Sequence, residues 1–338
     1  MAIFNMKAAV LKGIHQPLEI QEVKIPELKP GEALVKLKAS AFNHRDWWIQ
    51  KGLYAGLKFP VILGSDGSGI VEKVENPQDS AWLNKAVIIN PSLDWGENER
   101  VQSPKYRILG LPEDGTFAEY VAVPVKNLVE KPDYLSWEEA AALPLAGLTA
   151  FRALFTRGEA SPFDHILITG VGGGVALFVF QLALAIGAKV WVTSGKPDKI
   201  QKAIQMGAQG GVNYKEPEWS KNLKKLSNGF DLIIDSAAGP DFKELIELAK
   251  PGGRIVFYGG TNGNLPELLP AKIFWKQLDI KGSTMGSDKE FLQLVHFFKK
   301  HQIRPIISKI FPLNDAEKAL RELDEPNQFG KIVLLNET

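Results

Sequence analysis

The run from Ile166 to Ala176 constrains the fold of this chain more than any other segment. Three apolar residues precede Thr169, then come a cluster of glycines and a second apolar stretch that continues to Ile186. The first stretch is typical of a short buried strand, and the second, from about Val175, is typical of a helix. A strand, a glycine turn and a helix in direct succession are what a dinucleotide site requires. The alternative is a tight turn with only a structural role.

Glycines in such a turn let the backbone approach a pyrophosphate. The free N–H groups and the dipole at the start of the following helix stabilise its negative charge. The sequence therefore predicts that the cofactor phosphates are bound by Gly170, Gly172, Gly173, Gly174 and Val175.

Two patterns divide the chain into predicted domains. Up to about Val123 it has alternating β-type segments bounded by turn formers, and from about Ser136 short apolar runs alternate with helical segments, as in a parallel sheet covered on both faces. The tail after Met285 is predicted to rejoin the first domain. The predicted domains are residues 1–140 with 285–338, which form a mostly β catalytic domain, and residues 141–284, which bind the dinucleotide.

Composition excludes several classes of partner and cofactor. Lys and Arg number 40 against 39 Asp and Glu, so no charge excess favours binding to nucleic acid or acidic membranes. The absence of cysteine excludes disulfides, iron–sulfur clusters and cysteine-dependent zinc sites. The uncharged stretch from Ile166 to Ala188 could be mistaken for a membrane span, but its glycines leave a helix too short to cross a bilayer. With no secretory signal pattern at the start, the sequence predicts a cytoplasmic protein with a small-molecule ligand.

The end of the second predicted strand of the dinucleotide domain distinguishes between two cofactors. NAD-selective sites usually have Asp or Glu there to hold the ribose 2′-hydroxyl, whereas this chain has Ser194, followed closely by Lys196 and Lys199. Hydrogen bonds to charged groups contribute roughly 1.5 to 3 kcal/mol, so one contact with a 2′-phosphate gives about a tenfold preference. We therefore predict NADPH over NADH. The alternative is that the two lysines only form the solvated start of a helix.

Further motifs lie along the whole chain. They are NHRD at 43–46, GSDGSG at 64–69, GTFAEYV at 115–121, AAALP at 140–144, GLTA at 147–150, GVNY at 211–214 and GKIVL at 330–334. Together with the glycine turn they resemble the medium-chain dehydrogenases/reductases, and more closely their zinc-free quinone oxidoreductase branch. The resemblance implies an α/β fold: a Rossmann-type, doubly wound parallel sheet plus a mostly β GroES-like catalytic domain. It also implies a homodimer, with residues 279–284 as a candidate edge strand.

The resemblance bears on zinc as well. In the zinc-bearing relatives, catalytic ligands stand at the positions of Asn43 and Ser65 as a cysteine and a histidine, and four cysteines stand in the segment matching 91–114. This chain has none of these ligands, and no two of its five histidines have helical i, i+4 spacing. We predict neither a catalytic nor a structural zinc.

Several roles follow from the resemblance, residue by residue. Asn43 and Asp46 match a pair on the segment that faces the nicotinamide. His44 matches a residue that contacts the cofactor phosphates, with a surface histidine as the alternative. Thr149 matches a cofactor-facing threonine. Where many quinone reductases have a tyrosine near the substrate, this chain has Trp48, which provides a flat apolar wall or simply packs in the core.

Other matches concern the two ends of the cofactor. Ser194, Lys196 and Tyr214 match the trio around the adenosine 2′-phosphate in NADPH-dependent members. Lys331 matches a lysine that reaches toward the cofactor, with a structural role as the alternative. The turn departs from the branch pattern because Ala176 replaces its last glycine, a change that nucleotide folds tolerate.

The chemistry implied is hydride transfer without a metal. Reduction of a simple carbonyl needs a group that stabilises the developing alkoxide, as zinc does, so a metal-free site favours an electrophilic acceptor that delocalises the charge. The sequence thus predicts an NADPH-dependent reductase of quinones or α,β-unsaturated carbonyls, with Asn43 or backbone N–H groups on the oxyanion and a proton from water. The alternatives are a reductase of acyl thioesters or aldehydes, and a cofactor-binding protein with a structural or regulatory role and little turnover.

Overall fold

The computed structural model describes residues 5–325 and 327–336. The described residues up to 146 and from 286 onward form one compact unit, and residues 147–285 form a second. The predicted domain limits, 140/141 and 284/285, stay a prediction. The predicted domains include a few residues that lie outside the described part of the chain, namely 1–4, 326 and 337–338.

The chain begins with the strands of the first unit. They are β1 (Asn5–Leu11), β2 (Leu18–Lys24), β3 (Glu32–Ala41), β4 (Val61–Ile62), β5 (Asp66–Val74), β6 (Ala86–Ile89), β7 (Ser92–Leu93), β8 (Arg107–Ile108), β9 (Tyr120–Pro124) and β10 (Leu128–Glu130). The helices of this part are α1 (His44–Gln50), α2 (Trp137–Ala142) and α3 (Pro144–Phe151), with 3-10 turns at Pro77–Trp82 and Val125–Asn127. The second unit begins at Gly147, inside α3. A π-helix, Arg152–Arg157, follows α3.

The second unit is a parallel sheet with helices between its strands. The strands are β11 (His165–Ile168), β12 (Lys189–Ser194), β13 (Gly210–Asn213), β14 (Phe230–Asp235), β15 (Ala249–Phe257) and β16 (Asp279–Gly282), and the helices are α4 (Gly174–Ala185), α5 (Pro197–Gln205), α6 (Trp219–Ser227), α7 (Phe242–Leu248) and α8 (Pro270–Lys276). The spatial order is β13-β12-β11-β14-β15-β16, and every pairing is parallel. This is the strand order of a doubly wound dinucleotide-binding fold, and it confirms the predicted α/β class.

The chain then returns to the first unit through α9 (Asp288–His301), β17 (Ile307–Pro312), α10 (Ala316–Arg321) and β18 (Lys331–Leu335), with 3-10 turns at Leu313–Asp315 and Glu322–Asp324. β18 pairs antiparallel with β3 and parallel with β17. The larger sheet therefore runs β10-β6-β5-β3-β18-β17, with β9 also on β3, while β2, β1 and β4 form a smaller sheet. The pairing of β18 with β3 brings Lys331 near the end of the chain to the segment that follows β3.

Two helices of the second unit show how local sequence sets local structure. α4 is apolar on nearly all sides and has seven buried residues, as expected for a helix enclosed by other elements. α5 begins with Pro197, whose missing N–H costs nothing in a first turn, and ends before Gly207, which has φ of +118°.

For the tail, the sequence pattern predicts a β run over 303–311 and a helix over 314–323, and the structure differs in detail. The predicted helix over 314–323 is split into a 3-10 turn, α10 and a second 3-10 turn, and the β run predicted from Ile303 starts at Ile307. Pro305 explains the late start, because it has no N–H for strand pairing. Among the described residues, no helix is long and apolar enough to span a membrane.

Candidate active site

The glycine turn follows β11, at the point where the strand order of the second unit reverses. β11 lies between β12 and β14, so the turn leaves the sheet where doubly wound folds bind their ligands. Gly170 and Gly172 have φ of +65° and +123°, values that residues other than glycine rarely adopt. Gly173 is extended and caps α4, and no side chain caps that helix. The first N–H groups of a twelve-residue helix therefore lack side-chain partners, which favours binding of an anion.

Thr169 and Asp235 hold this turn against the neighbouring strands. Thr169 Oγ1 donates to Asp235 Oδ1 at 2.6 Å, and Asp235 Oδ2 accepts the N–H of Ala238 at 2.7 Å. The N–H of Val171 donates to the carbonyl of Thr193 at 2.8 Å. Burial raises the pKa of Asp235 and the hydrogen bond from Thr169 opposes this effect. The turn is thus anchored on both sides of the switch point.

The predicted 2′-phosphate trio comes together at the end of β12. Ser194 pairs with Asn213 of β13, and its carbonyl accepts the N–H of Tyr214 at 3.3 Å. The N–H of Lys196 donates to Ser194 Oγ at 3.3 Å. A Cβ placed on Gly195 would lie 2.9 Å from the hydroxyl oxygen of Tyr214, so that hydroxyl sits against the same loop.

Positive charge accumulates at this loop. Burial lowers the pKa of Lys199, and the nearby charges of Lys196 and Lys202 lower it further. A bound anion would relieve this mutual repulsion. The strand end carries the hydroxyl of Ser194 in place of a carboxylate.

In the first unit, Asn43, Asp66 and Lys331 form a buried polar cluster, which we call the lysine cluster. Asn43 Nδ2 donates to Asp66 Oδ2 at 2.9 Å. Lys331 Nζ donates to the carbonyl of Phe42 at 2.6 Å, to Asn43 Oδ1 at 2.7 Å and to Asp66 Oδ2 at 3.1 Å. A flipped amide would put its oxygen against a carboxylate and its NH₂ against an ammonium, so the charges determine its orientation. Among the described residues, the second N–H of the Asn43 amide has no acceptor.

Asp46 lies beneath this cluster with no exposed surface. Its carboxylate accepts the N–H of Asn43 at 2.8 Å and that of Gly64 at 3.4 Å. Burial raises its pKa from 3.8 to about 6, and the charge of Arg45 is the strongest opposing influence. These contacts orient the start of α1. A direct catalytic role for Asp46 stays a prediction, because its described partners are backbone groups.

The other predicted site residues have contacts of their own. His44 is the first residue of α1 and is exposed. Trp48 packs edge to face against Trp47 at 4.7 Å, and Trp47 Nε1 donates to Asp324 at 2.7 Å. Thr149 is buried in the second unit, with its hydroxyl 3.7 Å from the sulfur of Met285. The predicted cofactor contact of Lys331 stays a prediction, since its ammonium already has three acceptors in the first unit.

Three residues of this region were not selected from the sequence. Asp66 lies in the GSDGSG motif and Arg45 in the NHRD motif, so each was visible as a charged residue inside a motif. Tyr54, whose hydroxyl oxygen lies 3.5 Å from Nε of Arg45, had no such signal. Arg45 donates to Ser65 Oγ at 2.7 Å and to the carbonyl of Leu109 at 2.9 Å.

Comparisons with known proteins identify the family. Residues 29–133 match the family described as "Alcohol dehydrogenase GroES-like domain", and residues 174–300 match "Zinc-binding dehydrogenase". The chain is 35% identical to "Zinc-type alcohol dehydrogenase-like protein YogA" of Leptosphaeria maculans, with 98% of each chain covered. It belongs to the medium-chain dehydrogenase/reductase superfamily. The predicted superfamily is therefore confirmed, and the predicted quinone oxidoreductase branch stays a prediction.

Two further members extend the comparison. A crystal structure of an NAD-dependent alcohol dehydrogenase has a TM-score of 0.87 and 36% identity, covering 98% of this chain and 99% of that one. The crotonyl-CoA reductase of Streptomyces collinus is 28% identical over 371 residues, which cover 96% of this chain and 83% of that protein. These likenesses confirm the GroES-like and Rossmann-type fold, and the protein is an oxidoreductase of this superfamily.

The side chains at the zinc-ligand positions of this superfamily do not fit a zinc ion here. Asn43 Oδ1 accepts from the ammonium of Lys331, and Ser65 Oγ accepts from the guanidinium of Arg45. Both oxygens thus already face a cation, and neither residue is a thiolate or imidazole. Within the described residues, no group of three or more His, Asp or Glu side chains is arranged to hold a metal. The absence of zinc stays a prediction.

Proposed function

We propose that this protein transfers hydride from NADPH to an electrophilic small molecule, a quinone or an α,β-unsaturated carbonyl, without zinc. The observation that carries the proposal is the lysine cluster: charges orient the amide of Asn43 and leave it one N–H for a substrate oxygen. The same charges occupy the oxygen that a metal would need. This combination suits an acceptor that delocalises the incoming charge itself.

NADPH, when bound, supplies the hydride. The uncapped start of α4 and the glycine turn would hold its pyrophosphate, and Ser194, Lys196 and Tyr214 would surround the 2′-phosphate. The supporting observations are the positive φ angles at Gly170 and Gly172 and the cationic loop after β12. Trp48 offers an apolar wall to the acceptor, and the proton comes from water.

The test is NADPH oxidation by the purified protein with a panel of quinones, enals and crotonyl thioesters, together with metal analysis. We expect acceptor-dependent oxidation, faster with NADPH than with NADH, and no stoichiometric zinc. One tightly bound zinc per chain would contradict the metal-free mechanism. Tight NADPH binding with no oxidation would instead favour a cofactor-binding role with little turnover.

A second candidate is reduction of an acyl thioester. It is favoured by the likeness to a crotonyl-CoA reductase, which spans 96% of this chain. A crotonyl thioester is also an α,β-unsaturated carbonyl, so the same residues would serve. Activity on the thioester that exceeds activity on quinones would select it, and reduction of simple aldehydes would widen the class.

We also propose a homodimer formed through β16. This strand pairs with β15 on one side and ends the described sheet, so its other edge is open to a second strand. In the same unit, Phe274 and Trp275 are 60% and 79% exposed, which is unusual for large apolar side chains. Sedimentation should give twice the chain mass, and a monomer at micromolar concentration would contradict the proposal.

The cytoplasmic location that the sequence predicts stays a prediction.

A further inference from the structure

Arg45 is a buried cation with one unsatisfied end. Only 7% of the residue is exposed. Nη1 donates to Ser65 Oγ and to the carbonyl of Leu109, and Nε lies 3.5 Å from the hydroxyl oxygen of Tyr54, at the limit of a hydrogen bond. Nη2 has no hydrogen-bond partner among residues 5–325 and 327–336.

The charge of Arg45 also lacks a direct counterion. In the part of the chain that the structure describes, no carboxylate oxygen lies within 4.0 Å of its guanidinium. Burial raises the pKa of Asp46 and the charge of Arg45 opposes this rise in part, but both oxygens of Asp46 accept backbone N–H groups and neither contacts the guanidinium. Buried arginines are normally paired with a carboxylate, because an uncompensated buried charge costs several kcal/mol. Here the guanidinium instead lies over the ring of Tyr54, 5.1 Å from its centroid, which compensates the charge only in part.

Tyr106 adds a second unsatisfied donor near Arg45. Its hydroxyl is buried and has no hydrogen-bond partner in the described chain. Burial raises its pKa, so the group stays protonated, while the charges of Arg45 and Tyr54 also act on it. Ser92 also acts on this hydroxyl, although the two side chains form no hydrogen bond in the described chain, and Ser92 donates its proton to the carbonyl of Gly286 at 2.6 Å.

Lys331 provides the contrast within the same unit. An ammonium has three N–H donors, and all three of Lys331 have an acceptor. Lys331 therefore has nothing left to donate to a substrate, whereas Arg45 has. Of these two buried cations, Arg45 is the one able to bind a new oxygen.

We propose that Arg45 is a catalytic residue that binds the acceptor's carbonyl oxygen and stabilises the negative charge developing on it, with Tyr106 as an auxiliary donor. This inference rests on the proposed function. As the C4–H bond of NADPH breaks, its electron pair forms a C–H bond at the β carbon of the acceptor. The C=C pair moves to the bond between the α carbon and the carbonyl carbon, and the C=O pair moves to oxygen. The cofactor is oxidised, the enolate formed is held by Arg45, and water protonates it. In a quinone, the same charge appears on the ring oxygen.

The experiment compares Arg45→Gln, Arg45→Lys and the wild-type protein with neutral quinones and enones. Removing one preorganised oxyanion donor typically lowers kcat about 10²- to 10³-fold, so we expect that loss in Arg45→Gln, a smaller loss in Arg45→Lys and an NADPH Kd within about twofold of wild type. Arg304→Gln is the matched control: its guanidinium is half exposed and pairs with Glu139, and kcat should not change.

Chemical rescue separates a catalytic role from a structural one. In Arg45→Ala, millimolar guanidinium should restore kcat in a saturable manner, while urea at the same concentration should not, because only the cation replaces the charge. A loss of stability alone would not be rescued in this way.

A second readout is the dependence of kcat on the electron affinity of the acceptor. This dependence should be steeper in Arg45→Gln than in the wild type, because in the variant only the substrate stabilises the developing charge.

Three outcomes would overturn the inference. Retention of kcat within twofold in Arg45→Gln would show that Arg45 touches no developing charge. A rise in KM confined to acceptors that carry a carboxylate, with normal kcat on neutral ones, would make Arg45 a carboxylate-binding residue instead. If the wild-type protein shows no acceptor-dependent NADPH oxidation, the proposed function itself is overturned. If the wild-type protein is active and Arg45→Gln is equally active, only the role of Arg45 is overturned.

Discussion

The glycine turn of the second unit and the lysine cluster of the first unit present hydrogen-bond donors in different ways. The turn uses backbone N–H groups from consecutive residues, and its geometry depends on Gly170 and Gly172. The cluster uses side chains from the segment after β3, the start of β5 and the start of β18. A site made of backbone groups is local and depends on the conformation of a few consecutive residues, but a site made of buried charges depends on every partner being present.

The largest expected effect tests that dependence in the lysine cluster. Lys331→Met leaves the carboxylate of Asp66 buried beside an apolar side chain, and breaking a buried ion pair in this way costs about 3 to 5 kcal/mol. Urea unfolding should show a loss of this size. Adding Asp66→Asn to Lys331→Met should recover part of it, because both charges are then gone. A single variant as stable as wild type would contradict the charge pairing.

The second prediction concerns pH and Asp46. Its folded pKa of about 6 lies above its ordinary value of 3.8, so the folded protein binds a proton more tightly than the unfolded chain. Stability contributed by this group is therefore fully present below about pH 4 and is lost as pH rises through about 6, by about 3 kcal/mol. Asp46→Asn should flatten this part of the stability profile. An unchanged slope between pH 4 and 6 would show that other carboxyls produce it.

The third prediction tests the backbone site. Gly172→Ala places a side chain where φ is +123°, a strain of about 1 to 3 kcal/mol, and should weaken NADPH binding about 10- to 100-fold by equilibrium titration. Gly187→Ala is the control, because Gly187 also has a positive φ of +85° with no atom within 4 Å of the added carbon. It should lower stability but leave NADPH affinity unchanged. Equal affinity losses in both variants would remove the special role of the turn.

The smallest expected effect concerns cofactor choice. Lys196→Ala should reduce the ratio of kcat/KM for NADPH to that for NADH about tenfold, since one charged hydrogen bond to the 2′-phosphate is lost. Lys189→Ala, at the opposite end of β12, removes the same charge away from the loop and should leave the ratio unchanged. If Lys196→Ala also leaves it unchanged, the lysines of this loop are only a solvated helix start.

Prediction from sequence worked best where neighbours in the chain are neighbours in space. β11, the glycine turn and α4 follow one another directly, and the observed helix, Gly174–Ala185, differs by one residue at each end from the predicted one. Edge elements were harder. β2 is largely half-buried, and α8 contributes no buried residue, so neither has the apolar periodicity that marks a core element.

The sequence by itself determined the family, the alternation of strands and helices, the glycine turn and the lack of cysteine ligands, because each depends on residue type or on spacing along the chain. Only the tertiary structure decided the partners of the buried charges. The pairing of β18 with β3 satisfies Lys331 completely, whereas the packing around Arg45 leaves its guanidinium partly unsatisfied. Such a distinction has no local signal, since the free energy of a buried charge depends on the atoms that surround it and those atoms come from distant parts of the chain.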